Sequence, residues 1–152
     1  MATKGSDYDD RWEKAHRTAR WAVTMTQWWI RHAVKRAPFP QWHFLKFAGP
    51  GGRESRGVVD LIAVRKDHST PRSGLKRGDA LQIILIQVKG GSAAKPTAEA
   101  GKRLRIVARR HGARAVLLAA WKKGKAARFY SLCKEAGALT WIEIPDVSVL
   151  FC

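Results

Sequence analysis

Residues 81–89 read Leu-Gln-Ile-Ile-Leu-Ile-Gln-Val-Lys, and no other stretch restricts the possible folds as tightly. The run is almost continuously apolar and rich in β-branched side chains. It is also short, with no helical spacing of polar positions, which is the pattern of a central strand covered on both faces. A strand of that kind needs a layer on each side, and two stretches of helical period can supply them. One is long, over residues 7–36, with Ser6 or Asp7 as N-cap and Asp7, Asp9 and Asp10 near the positive end of the helix dipole. The other covers residues 97–111, capped by Thr97 and stopped at Gly112. Further strands are expected at 41–47, 58–66, 115–121, 127–132 and 139–144. The expected class is α/β, a mixed central β-sheet flanked by helices. With no internal repeat and no second core, it is read as one domain over residues 1–152, with the long helix 7–36 and a core at 41–144.

Winding the first helix at 3.6 residues per turn puts Trp12, Ala15, Ala19, Ala22, Val23, Trp29, Ile30 and Ala33 on one side, the expected core face. Trp21, Met25 and Trp28 make a second apolar strip beside it. A second strip needs a second partner, either another subunit or the C-terminal segment of the chain.

Charge narrows the partners. The 152 residues carry 29 Lys and Arg against 12 Asp and Glu, a formal charge of +17. Such a surplus opposes compaction and points to a polyanion, with nucleic acid ahead of an anionic membrane. No stretch approaches the ~20 apolar residues of a spanning helix. Cys133 and Cys152 show neither metal-ligand spacing nor a disulfide framework, which fits a reducing, cytoplasmic setting.

Few residues carry chemistry. Asp60 lies in the apolar run Val58-Val59-Asp60-Leu61-Ile62-Ala63-Val64, where a carboxylate is costly unless something binds it. Gln87 and Lys89 end the most hydrophobic strand, and a period of two places both on one face with Val88 turned away. If residues 58–66 and 81–89 pair as an antiparallel hairpin around 67–79, Asp60 meets Gln87 across the pair. The Asp60 carboxylate, the Gln87 amide oxygen and the Val88 carbonyl then form an all-oxygen site suited to Mg²⁺ or Mn²⁺. Lys89 is placed to position or deprotonate an attacking water, or to stabilise charge developing on phosphate.

These residues resemble the signature of the PD-(D/E)xK nuclease superfamily, an Asp on one strand followed by (D/E/Q)-x-K on the next. Gly57-Val58-Val59-Asp60-Leu61-Ile62-Ala63 and Leu85-Ile86-Gln87-Val88-Lys89-Gly90 are similar to archaeal-type Holliday-junction resolvases and their bacterial and phage relatives. Val59 stands where the name-giving motif has Pro, and Gln87 where an acid is commoner. The resemblance covers roughly residues 41–132. It implies a restriction-endonuclease-like fold, divalent-metal-dependent phosphodiester hydrolysis and a homodimer, for which the Trp21/Met25/Trp28 strip offers a contact. It also implies an acid on the first helix, for which Glu13 is the candidate; Glu54, or water, is the alternative.

Around this centre, Arg53 and Arg56 in the loop at 49–57 and Arg72, Lys76 and Arg77 in the loop at 67–79 are candidate phosphate contacts. So are Lys102, Arg103, Arg105, Arg109 and Arg110 on the second helix. The function read from the sequence is a Mg²⁺-dependent, structure-selective DNA endonuclease. The alternative is a catalytically inactive nuclease-fold module that binds nucleic acid.

Overall fold

The buried run becomes the third strand of a six-stranded sheet. The structure, a computed structural model, describes residues 5–35, 41–47, 57–69, 73–91 and 97–152. Helix α1 spans Gly5–Ala33 and α2 spans Ala98–Arg110. The strands are β1 (His43–Lys46), β2 (Leu61–Lys66), β3 (Leu81–Lys89), β4 (Ala115–Ala120), β5 (Arg128–Glu135) and β6 (Ala138–Ile144), and a 3₁₀ helix follows at Val147–Leu150. Spatial order equals chain order, β1-β2-β3-β4-β5-β6. Every neighbouring pair is antiparallel except β3–β4, which is parallel. The α2 crossover joins that pair, and parallel strands require a crossover of this kind. This is the α/β class with a mixed sheet that the sequence implied.

β3 is covered on both faces. Ile84 and Ile86 pack with Leu117, Ala119 and Phe129 beneath Ala22 and Ile30 of α1, together with Val147 and Phe151 near the end of the chain. Leu85 packs with Val116 and Leu132 against Leu104 and Ala108 of α2. The last residues are held firmly: Trp42 Nε1 donates to the Phe151 carbonyl at 2.7 Å, and Arg65 donates to the carbonyls of Phe151 and Cys152. Arg65 also lies over the Trp42 ring and donates to Gln82 Oε1.

The core face of α1 differs from the one expected. Ala22, Thr26 and Ile30 are fully buried, whereas Trp12, Trp29 and Ala33 are exposed. The reason is close approach. A Cβ at Gly90 would lie 3.1 Å from Ala22 Cβ and 3.4 Å from the Thr18 carbonyl oxygen, so the helix rests almost on the backbone at the end of β3. Small side chains fit there and indoles do not. Trp121 closes the gap, its Nε1 donating to Thr26 Oγ1 at 2.7 Å, while the Thr26 hydroxyl donates to the Ala22 carbonyl.

Two boundaries also move. β2 begins at Leu61 rather than near residue 58, and β5 runs on to Glu135, where Ala136 and Gly137, both at positive φ, turn the chain into β6. The described parts of the 67–79 connection are tied down, with Asp67 N–H donating to the Ala80 carbonyl and Asp79 Oδ2 accepting from Lys76 N–H. No helix among the described residues is long and apolar enough to cross a membrane.

Candidate active site

Asp60 sits in the bend immediately before β2, not inside the strand, yet its backbone still belongs to the sheet. Its N–H donates to the Ile86 carbonyl at 3.0 Å, and its own carbonyl accepts from Phe47 N–H. Leu61 faces Ile86 in the β2–β3 register, and at Asp60 the regular ladder ends, because its N–H turns to β3 while its carbonyl turns to β1. Side-chain alternation then fixes the faces. Leu85 points to the α2 side, and Gln87 and Lys89 share its parity on β3.

The carboxylate is held where β2 has stopped and β3 continues. Val88 N–H donates to Asp60 Oδ2 at 2.7 Å, so the side chain replaces the strand partner that the Val88 amide would otherwise lack. The backbone groups of Val88 point to the same edge of β3 as those of Ile86, because hydrogen-bonding direction alternates along a strand. Lys89 confirms the alternation, its carbonyl accepting from Trp121 N–H on the β4 side. The Val88 carbonyl therefore opens toward the edge that carries Asp60.

Gln87 is 6% exposed, and its Oε1 is buried with no hydrogen-bond partner among the described residues. Buried acceptors are nearly always paired, and an orphan of this kind costs about 1–3 kcal/mol. The row to which Gln87 belongs accounts for the burial. Gln87 faces Leu118 across β4, Leu118 faces Tyr130 across β5, and both are buried. Lys89, one step further along the same face, is half-buried opposite Ala120. A hard cation fits this donor set: the orphaned amide oxygen belongs to the residue just before the amide that pins the carboxylate, beside a carbonyl directed to the carboxylate's edge.

The other expected contributors are distributed differently. Glu13 is exposed on α1, about 7.5 Å along the helix axis from Thr18, the residue packed against Gly90. α1 covers the sheet face opposite to the Gln87 side chain, so Glu13 reaches that side chain only around the end of β3. Glu54, Arg53, Arg56 and Arg72 lie outside the described residues. Arg65, a possible alternative partner for Asp60, is engaged by Gln82 and the chain end instead. Burial is the main influence on its guanidinium, pulling its pKa down, and Arg114 acts in the same direction. Lys76 and Arg77 are exposed, with Arg77 Nε donating to the His68 carbonyl.

On α2, Lys102, Arg103, Arg109 and Arg110 form one exposed arc on the helix that packs on the site's side of the sheet. Arg105, also a candidate phosphate contact, lies outside this arc, half-buried on the flank. His111 is exposed and caps the helix through its N–H to the Val107 and Arg109 carbonyls. The Val88 amide contact to Asp60 was not foreseen, because the end of β2 at Leu61 leaves no mark in an apolar run that begins at Val58.

No protein-family model and no curated protein matches the chain. Among solved structures it is similar to Hjc of Archaeoglobus fulgidus, described as a Holliday junction resolvase from an archaeal hyperthermophile. The two share 20% sequence identity, over 83% of this chain and 89% of that one, with a TM-score of 0.40. A likeness of that size says nothing of chemistry, which rests on Asp60, Gln87, Val88 and Lys89 themselves.

Proposed function

We propose that the chain is a divalent-metal-dependent endonuclease acting on DNA, with a restriction-endonuclease-like fold and a preference for branched structures. One observation carries the reading. Gln87, whose buried Oε1 has no described partner, directly precedes the Val88 amide that holds the Asp60 carboxylate, with Lys89 next on the same face of β3. Asp60, Gln87 and the Val88 carbonyl are the groups that would hold Mg²⁺ or Mn²⁺. Such an ion, when bound, supplies Lewis-acid polarisation of the scissile phosphate.

The protein's own part is positioning. The Val88 amide orients the Asp60 carboxylate. Lys89 directs its ammonium toward the phosphate, where charge develops as water adds to phosphorus and the P–O bond to the leaving oxygen breaks. The walls formed by Leu118 and Tyr130 limit solvent and strengthen these interactions. The arc on α2, together with Lys76, Arg77 and the arginines at 53, 56 and 72, holds the flanking phosphates. Glu13 is assigned as an accessory acid from α1.

A second reading follows from Gln87 as well. Its neutral oxygen leaves the centre one charge short of a two-carboxylate site, which favours a nuclease-fold module that binds nucleic acid without cutting it. Incubation with duplex, single-stranded, flap and four-way-junction DNA in Mg²⁺, Mn²⁺ or EDTA decides between the two. Metal-dependent cleavage that is strongest on the branched substrates is the expected result. No cleavage of any substrate with either metal establishes the second reading.

A further inference from the structure

Helix α1 carries a second line of residues in which Met25 packs against the core while the tryptophans on either side of it stay exposed. Lys14, Arg17, Trp21, Met25, Trp28, His32 and Lys35 recur at intervals of three and four, so they form one stripe about 30 Å long. The helix faces the sheet with Ala22, Thr26 and Ile30, and the stripe lies beside that buried line. Trp21 and Trp28 are each 48% exposed. Cations stand at both ends of the pair, and Asp10 lies a turn beyond Lys14.

The two indoles are large, exposed and already oriented. The Trp21 ring makes an edge contact with Trp121, centroids 5.4 Å apart, and the Trp28 ring lies 3.9 Å from the His32 ring at 31°. Rings held in this way lose little further freedom on binding. Their Cα atoms are seven residues apart, roughly 10.5 Å along the axis, which is about three nucleotide steps of 3.4 Å. Aromatic faces flanked by Lys and Arg are what an unpaired strand needs: a surface for the bases and charge for the phosphates. The stripe also adjoins the proposed centre, because Trp21 touches Trp121 and the Trp121 N–H donates to the Lys89 carbonyl.

We infer that this face of α1 is a stacking platform for unpaired nucleotides, by which the protein recognises single-stranded segments of branched nucleic acid. The inference rests on the nucleic-acid part of the proposed function and not on cleavage. A second copy of the chain fits the stripe less well. Half of roughly 250 Å² per indole is far below the ~800 Å² that each partner of a stable interface contributes. Antiparallel pairing would also set Lys14 and Arg17 against the partner's basic end.

Binding of the full chain to an oligothymidylate and to a blunt duplex of equal length, in EDTA, tests this without any cleavage. Trp28→Ala should weaken oligothymidylate binding about tenfold, within the five- to hundredfold expected for one stacked base. The same change should leave duplex affinity within twofold, and Trp28→Phe should keep most of the single-strand affinity. The wild-type chain provides a check without substitution: oligothymidylate, but not duplex, should shield its exposed indoles from acrylamide. Equal losses on both ligands, or no shielding, overturn the inference. So does a sedimenting dimer that Trp28→Ala makes monomeric, or flotation with anionic phosphatidylserine vesicles without single-strand preference. A chain that binds unpaired strands through these rings yet cuts nothing keeps this inference and loses the nuclease reading. One that cuts with tryptophan-independent binding does the reverse.

Discussion

Asp60 Oδ2 accepts the Val88 amide at 2.7 Å, so the carboxylate at the end of one strand finishes the ladder of the next. This contact gives Asp60 a structural role beside its proposed chemical one, and substitutions can separate the two. Asp60→Asn retains an oxygen for the amide and should leave the fold intact while abolishing cleavage, with DNA binding in EDTA unchanged. Asp60→Ala should also unfold earlier, since it strands a backbone donor, by about 1–2 kcal/mol in denaturant titration. Cleavage by Asp60→Asn at the wild-type rate would remove Asp60 from the chemistry.

Gln87 is held against its own stability. Its orphaned oxygen should make Gln87→Leu more stable by about 1 kcal/mol and inactive, the trade expected where a buried polar group is kept for function. Gln87→Glu adds a full charge to the donor set and should lower the Mg²⁺ concentration giving half-maximal cleavage. Gln87→Ala cutting as well as the wild type would show that the amide is no ligand.

Lys89 stands on the same face, half-buried. Lys89→Ala should stop cleavage with little loss of affinity, because it removes one of 29 basic residues. A large loss of affinity with cleavage of the bound fraction intact would instead make it a phosphate contact.

The exposed arc of Lys102, Arg103, Arg109 and Arg110 should appear in salt dependence. Each neutralised phosphate adds about 0.9 to the magnitude of the slope of log K against log salt for duplex DNA. The wild-type slope should be steeper than about −2, and Arg103→Ala with Arg109→Ala should flatten it by one to two. An unchanged slope moves the duplex contact elsewhere.

Among the described residues, Thr26 Oγ1 is the acceptor for the buried Trp121 indole. Thr26→Val preserves shape and strands that N–H, a cost of about 1–3 kcal/mol. For a domain of this size the melting temperature should fall by several degrees. An unchanged melting temperature would mean that the indole finds another partner.

Sequence alone determined the strands, the α2 cap and the parity that sets Gln87 and Lys89 on one face of β3. Each follows from local rules: alternation along an extended chain, a hydroxyl before a helix, and an apolar run with no helical period. The core face of α1 was not legible, because periodicity marks every apolar line on a helix and does not say which one touches the sheet. Tertiary structure decided that. The backbone at Gly90 comes so close to Thr18 and Ala22 that only small side chains fit between helix and strand. The buried line therefore became Ala22, Thr26 and Ile30, and the tryptophans were left beside it at the surface. The end of β2 at Leu61 was likewise decided in three dimensions, since what marks it is the Asp60 side chain taking over the Val88 amide.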